Sequence, residues 1–114
     1  MPTNYFVYLL TNHRNGVFYC GVTNDLARRC GQHAMQTGNS FTRRYGVRYL
    51  AWYEVHDHID VAISREKRIK RWPRAFKFNV IESVNPGWRD LSAILNGGSI
   101  DDCPPIPDPR TRRG

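Results

Sequence analysis

Apolar residues fall in short runs separated by polar, turn-forming stretches. Residues 4–12 (NYFVYLLTN) and 17–23 (VFYCGVT) are rich in the aromatic and branched side chains that suit strands. Between them lies a short polar segment ending in Asn15-Gly16, a hairpin-turn dipeptide, so the two runs predict a β-hairpin. Asn24 then offers an N-cap and Asp25 a first-turn carboxylate for a helix over about residues 25–36 (DLARRCGQHAMQ). The basic stretch TGNSFTRRYG reads as a loop, and residues 48–55 (RYLAWYEV) as a third strand, central or nearly so from its aromatic content. Asp57 or Asp60 is placed to cap a second helix running through Trp72. Pro73, tolerated as a first helical residue, opens a third helix, PRAFKFNVIESV. The predicted order is β-β-α-β-α-α, an α/β (α+β) chain.

From residue 85 the composition changes. NPGWRDLSAILNGG predicts a brief apolar helix stopped by Gly97-Gly98, and five of the seven prolines follow position 85. The division expected is a folded domain over 1–91 and, over 92–114, a short helix end with a Pro-rich, mobile tail.

With 114 residues the chain suits one domain with a modest core. No apolar run approaches the ~20 residues of a membrane-spanning helix, and the N-terminus lacks the basic region of a signal peptide, so a cytoplasmic location is expected. Cys20, Cys30 and Cys103 have no C-x-x-C spacing, which leaves neither a zinc ribbon nor a disulfide framework.

Charge adds the first functional clue. The net charge is +7, carried entirely by residues 1–82, and 14 of the 17 cations are Arg, whose planar fork suits phosphate. A polyanionic partner, DNA or RNA, is the simplest reading.

A few polar residues fall where apolar ones are expected. At about 100° per residue, Arg29 and His33 lie within about 60° of Leu26 and share its face with Cys30, while Arg28 points away. On the second helix Glu66 lies in the stripe of Ala62 and Ile69, flanked by Ile63. An inward carboxylate needs a cation, either an ion-pair partner or a metal. If the hairpin loop holds an even number of residues, Tyr8 and Tyr19 share one face; an odd loop separates them. Gly21, in mid-strand on that face, leaves room for a close approach to the backbone. Each residue alone has an ordinary structural reading, as rim or core; together they make a phosphodiester site.

These residues resemble a known family. FVY (Phe6 to Tyr8) and YCG (Tyr19 to Gly21) are similar to the two half-motifs of the GIY-YIG nuclease domain. Arg29 and His33 follow Tyr19 at the family's spacings, and Glu66 corresponds to its metal-binding glutamate. With FTRRYGVRYL, AISREKRIKRW and NPGWRDL, residues 4–91 resemble the small stand-alone bacterial YhbQ/YazA-like group. The chain departs from the motifs in FVY for GIY and YCG for YIG. Asn79 and Asn85 both offer counterparts to a C-terminal Asn of some members.

The resemblance implies a three-stranded antiparallel sheet flanked by helices and a metal-dependent endonuclease, of repair or recombination type. Glu66 would hold one divalent cation, Mg²⁺ or Mn²⁺; Tyr8 or Tyr19 would activate water; Arg29 would stabilise the transition state; His33 would relay a proton or position phosphate. Substrate grip is assigned to Arg43, Arg44, Arg48, Arg65, Lys67, Arg68, Lys70, Arg71 and Arg74. With few elements to read a groove, low sequence specificity and a preference for branched, flexible or single-stranded DNA are expected. The protein would act as a monomer or weak homo-oligomer. Two alternatives stand beside this reading, a nucleic-acid-binding module without turnover and an adaptor that uses the tail.

Overall fold

Strands β1 (Tyr5–Thr11) and β2 (Phe18–Thr23) form the expected hairpin, and β3 (Tyr49–His56) pairs antiparallel with the other side of β1. The computed structural model describes residues 4–14, 16–35 and 40–108, and the side chains at positions 33, 34 and 40 lie outside that description. The sheet order is β2-β1-β3, so β1 is central. The third strand is therefore an edge, contrary to the sequence reading. Its Leu50 and Trp52 are buried because helices cover both faces, not because strands flank both edges.

Alternation along β1 sorts the core into two layers. Val7 and Leu9 pack with Cys20, Trp52, Ala62, Ile69, Ile81 and Trp88 under helices α3 (Ile59–Lys70) and α4 (Arg74–Val84). Tyr8 and Leu10 pack with Leu26, Cys30, Leu50 and Leu91 under α1 (Leu26–Ala34) and the single turn α5 (Ser92–Leu95). A bulge opposite Leu9 and Leu10, which pair with Trp52 and Leu50, leaves Ala51 extra and sends both Ala51 and Trp52 into the first layer.

Three local expectations are corrected. The cap of α1 is Asp25, whose Oδ1 accepts the Arg28 amide at 3.2 Å, not Asn24. His58 occupies the N-cap of α3, with Asp60 inside its first turn, so neither Asp57 nor Asp60 caps it. TGNSFTRRYG contains a further helix, α2 (Ser40–Tyr45), where a loop is expected. Tertiary contact holds it: Thr42 is buried and accepts the Val47 amide at 3.0 Å through its carbonyl, and Phe41 packs 6.0 Å from the Tyr19 ring.

The segment after residue 92 also differs from the expected mobile tail. A single 3-10 turn at Ile100–Asp102 leads into chain that folds back on the core, with Cys103 and Ile106 buried. The Ile106 amide donates to Trp88 O at 2.8 Å, and Pro107 O accepts the Arg14 amide at 2.7 Å. Proline-rich sequence is compatible with this because it follows the core in extended form and its few remaining amides find carbonyls. Residues 109–114 lie outside the described residues.

Candidate active site

The hairpin register settles the two tyrosines. Thr11 pairs with Phe18, leaving six residues between, an even number, and Tyr8 pairs with Gly21 while Leu10 pairs with Tyr19. Both phenols thus project from the α1 face, diagonally across neighbouring strands, with ring centroids 6.3 Å apart. Tyr8 is 1% exposed and its hydroxyl is held well above the ordinary phenol range, first by burial and then by Tyr19, with Arg29 opposing. Tyr19 is half-buried and borders open solvent. The space over Gly21 is filled from within: a Cβ there would lie 2.5 Å from Tyr8 Oη and 2.6 Å from Cζ. The close approach that glycine permits is that of Tyr8 itself.

The Arg29 side chain is exposed yet near enough for its charge to act on Tyr8, while Leu26 and Cys30 hold the helix to the sheet. His33 follows one turn later; its side chain lies outside the described residues.

Glu66 comes from the opposite face. On α3 the buried positions are Ala62, Glu66 and Ile69, the stripe expected from spacing. The side chain is 11% exposed, and Lys70, one turn on and 53% exposed, reaches back to place Nζ 2.6 Å from Oε2. That hydrogen bond holds the Lys70 ammonium above its ordinary range. Cys20, also on the α3 face, donates its Sγ–H to Glu66 O at 3.8 Å, and burial pushes this thiol up to about 12. Tyr19 and Lys70, the partner of Glu66, reach one cavity at the outer edge of β2. Its volume is about 310 Å³, and it is bordered by Tyr19 from one face and by Cys20 and Lys70 from the other.

The cations assigned to substrate grip divide into two groups. Arg43, Lys67 and Arg71 are exposed, as are Arg44 and Arg48, whose guanidinium carbons lie 5.6 Å and 5.4 Å from the Tyr45 and Tyr49 ring centres. Arg74 covers Phe18 at 5.2 Å. Arg65 is engaged within the fold, donating from Nε to Glu54 Oε2 at 2.8 Å and lying 5.1 Å from the centre of Trp72. With Arg68 it lines a separate cavity of about 380 Å³ beside His56 and Ser64. Lys70 is paired with Glu66. Asn85 is fully used by the fold: Nδ2 donates to Ala51 O and Arg89 O, and Oδ1 accepts the Arg89 amide. Asn79 is exposed on α4, away from the phenols in a cavity with Trp72 and Phe76. Two residues the sequence reading passes over, Phe41 and Lys77, line the cavity at β2. Their signal was faint: an aromatic among basic residues and a lysine on an otherwise apolar helix.

Among the described residues no three His, Cys, Asp or Glu side chains cluster to cage a metal. Glu66 alone is still compatible with Mg²⁺, which binds through one or two carboxylates, keeps several waters and shares substrate phosphate. No helix of the described residues is long and apolar enough to cross a membrane.

Comparison with known proteins places this arrangement. A family model described as the GIY-YIG catalytic domain matches residues 4–79. The UPF0213 protein VPA1222 of Vibrio parahaemolyticus is 37% identical over 76 residues, 67% of this chain and 71% of that protein. A UPF0213 protein of Xanthomonas campestris pv. campestris is 33% identical over 106 residues, 92% of this chain and 94% of its own length. A solution NMR structure of the UPF0213 protein BH0048 from Bacillus halodurans aligns with a TM-score of 0.45 at 28% identity, covering 71% of this chain and 85% of that one. With Tyr8 and Tyr19 side by side, the Arg29 charge acting on Tyr8 and a family match across two-thirds of its length, the chain belongs to the GIY-YIG family of nuclease domains.

Proposed function

We propose that the protein is a metal-dependent endonuclease that hydrolyses DNA phosphodiesters with low sequence specificity and prefers branched, flexible or single-stranded substrates. The observation that carries this reading is the Tyr8–Tyr19 pair on one face, 6.3 Å apart, with the Arg29 charge acting on Tyr8 and the Glu66 partner Lys70 lining the same cavity as Tyr19.

The two phenols take different parts. Tyr8, buried and with its phenolate disfavoured, keeps its proton and acts as a positioning residue that backs the Tyr19 ring from inside the fold. Tyr19 borders the open cavity and is the phenol a water can reach, so it orients that water and, once its own proton has passed to solvent, accepts the water's proton as phenolate, while the departing sugar oxygen takes a proton from solvent. Arg29 stabilises the charge that builds on the phosphorus oxygens. Glu66 is the residue that would hold the divalent cation, and Lys70 gives up the carboxylate when it does so; half-exposed, Lys70 loses little by leaving. When bound, the cation neutralises the non-bridging oxygens of the phosphate. His33 serves as a proton relay or phosphate contact on this reading. The exposed Arg43, Arg44, Arg48, Lys67, Arg71 and Arg74 hold the sugar-phosphate backbone, which carries no sequence information.

The test is incubation of purified protein with labelled single-stranded, duplex and branched DNA and Mg²⁺ or Mn²⁺. Cutting that EDTA stops, and that falls about 100-fold or more in Glu66→Ala and Tyr19→Phe, is expected. No cutting of any substrate, or full-rate cutting by both variants, overturns the proposal. One observation favours the second reading, a binding module without turnover: the Glu66 carboxylate is already engaged by Lys70 at 2.6 Å. That reading predicts steeply salt-dependent binding and no metal-dependent cleavage.

A further inference from the structure

The cavity at the outer edge of β2 has a wall composition that phosphate chemistry alone does not require. Phe18, Tyr19 and Phe41 form its aromatic sides, and Lys70 and Lys77 stand at its rim. At about 310 Å³ it falls at the low end of the volumes that hold small ligands, roughly 300–1,000 Å³. The aromatic surface continues beyond it. Tyr19 lies 6.0 Å from Phe41 and Phe41 4.9 Å from Tyr45, with Phe41 39% and Tyr45 43% exposed. Large apolar rings left in water beside a cluster of cations mark a surface that a partner covers.

The cations indicate which partner. Arg44 lies over Tyr45 at the end of the Tyr19–Phe41–Tyr45 row, Arg74 lies over Phe18 on the other face of β2, and Lys70 and Lys77 line the cavity that Phe18, Tyr19 and Phe41 share. Flat rings alternating with positive charge match a nucleic-acid strand whose bases are unstacked: the rings take the bases and the cations take the phosphates. A paired base hides its faces against its neighbours and has none to offer. An apolar peptide would use the rings but bring no anion to the cations beside them.

We infer that this cavity binds an unpaired nucleobase, stacked on Phe41, next to the phosphate presented to Tyr19 and Glu66. The inference rests on the nuclease reading for that phosphate, and it names the substrate class more narrowly, as a strand with at least one unstacked nucleotide at the point of cutting. Lys77 holds the phosphate on the far side of the base. Lys70 has two partners, Glu66 in the free protein and substrate phosphate in the complex, so arrival of the strand draws it away from the carboxylate.

Binding in EDTA, without turnover, tests this. Fluorescence anisotropy is measured with a labelled oligothymidylate of about ten nucleotides, within the range one such surface covers, and with an oligomer of equal length and charge that lacks bases. Base stacking of ~1–3 kcal/mol corresponds to roughly 5- to 150-fold. Phe41→Ala is expected to weaken oligothymidylate binding by that factor and abasic binding less than twofold. Phe41→Leu, which keeps apolar bulk without the ring face, follows the same direction and guards against a folding defect, with thermal unfolding as control. Lys77→Gln weakens both oligomers alike and flattens the salt slope by about 0.7. Equal loss on both oligomers in the Phe41 variants, or no loss on either, overturns the inference. A protein that binds in this base-dependent way yet cuts nothing keeps the base site and rejects the nuclease reading; one that cuts without base dependence does the reverse.

Discussion

Replacing Gly21 with Ala should separate Tyr8 from its seat, and the structure sets the size of the effect. The added Cβ would lie 2.5 Å from Oη, 2.6 Å from Cζ and 3.0 Å from Cε1 of Tyr8. Ordinary contact begins at 3.4 Å, so the ring must retreat by about 0.9 Å. Tyr8 is 1% exposed among Leu10, Leu26 and Cys30 and has no solvent to move into. Overpacking of this kind costs about 1–3 kcal/mol. Against it stands about 0.5–1 kcal/mol gained when alanine replaces glycine in a strand. The clash wins, leaving a net loss of about 1–2 kcal/mol. For a chain of this length that lowers Tm by about 4–10 °C, measurable by far-UV circular dichroism. In a Tyr8→Leu background the same substitution has no ring to strike, so a double-mutant cycle should give a coupling of at least about 1 kcal/mol. If the enzyme reading also holds, displacing Tyr8 by about 1 Å shifts the Tyr19 ring that rests on it and reduces cleavage about 100-fold with little change in DNA binding. A Gly21→Ala protein as stable as the parent, with zero coupling to position 8, would refute the reasoning at its base.

Other expectations follow from single contacts. Lys70→Met removes the competitor for the Glu66 carboxylate, and a pair with one partner half in solvent is worth up to about 1 kcal/mol. Mn²⁺ binding followed by electron paramagnetic resonance should tighten about two- to fivefold, and unchanged or weaker binding rejects the competition. Burial raises both the Cys20 and Cys30 thiols from 9.0 to about 12. A folded-state pKa above the unfolded one gives stability that is fully present below the unfolded value and is lost as pH rises toward the folded one. Urea unfolding should therefore show a loss of about 2–3 kcal/mol between pH 8 and pH 10, largely absent in Cys20→Ala/Cys30→Ala; a flat profile in the parent contradicts it. Deleting residues 99–114 strips Cys103 and Ile106 from the core, 2% and 3% exposed, and should cost about 3 kcal/mol or more. A deletion protein with unchanged Tm would restore the view of this segment as a dispensable tail.

Sequence alone reached furthest where geometry is local. The turn per residue of a helix is fixed, so the burial of Glu66 with Ala62 and Ile69 could be read from spacing. The two-residue period of a strand and an even hairpin loop are enough to put Tyr8 and Tyr19 on one face. Partners brought together across the fold were not legible in this way. Lys70 sits at the helical spacing that permits an ion pair with Glu66, but the same spacing fits a solvated cation reaching for phosphate; burial of the carboxylate decides it. Asn85 looked like a site residue because an isolated polar side chain carries no sign of its partners, which prove to be Ala51 and the nearby Arg89.

Local pattern was enough for the hairpin, the inward carboxylate, the location of the positive charge and the family resemblance. Each depends on intervals of a few residues or on composition, which local stereochemistry converts directly into direction and charge. It took the folded chain to show that β3 is an edge, that a basic stretch becomes α2, that the proline-rich segment docks beside Trp88, and that Tyr19 and Lys70 reach one cavity at β2 from opposite faces. Those outcomes depend on which apolar surfaces cover one another, and packing between residues distant in the chain leaves no period in the sequence to read.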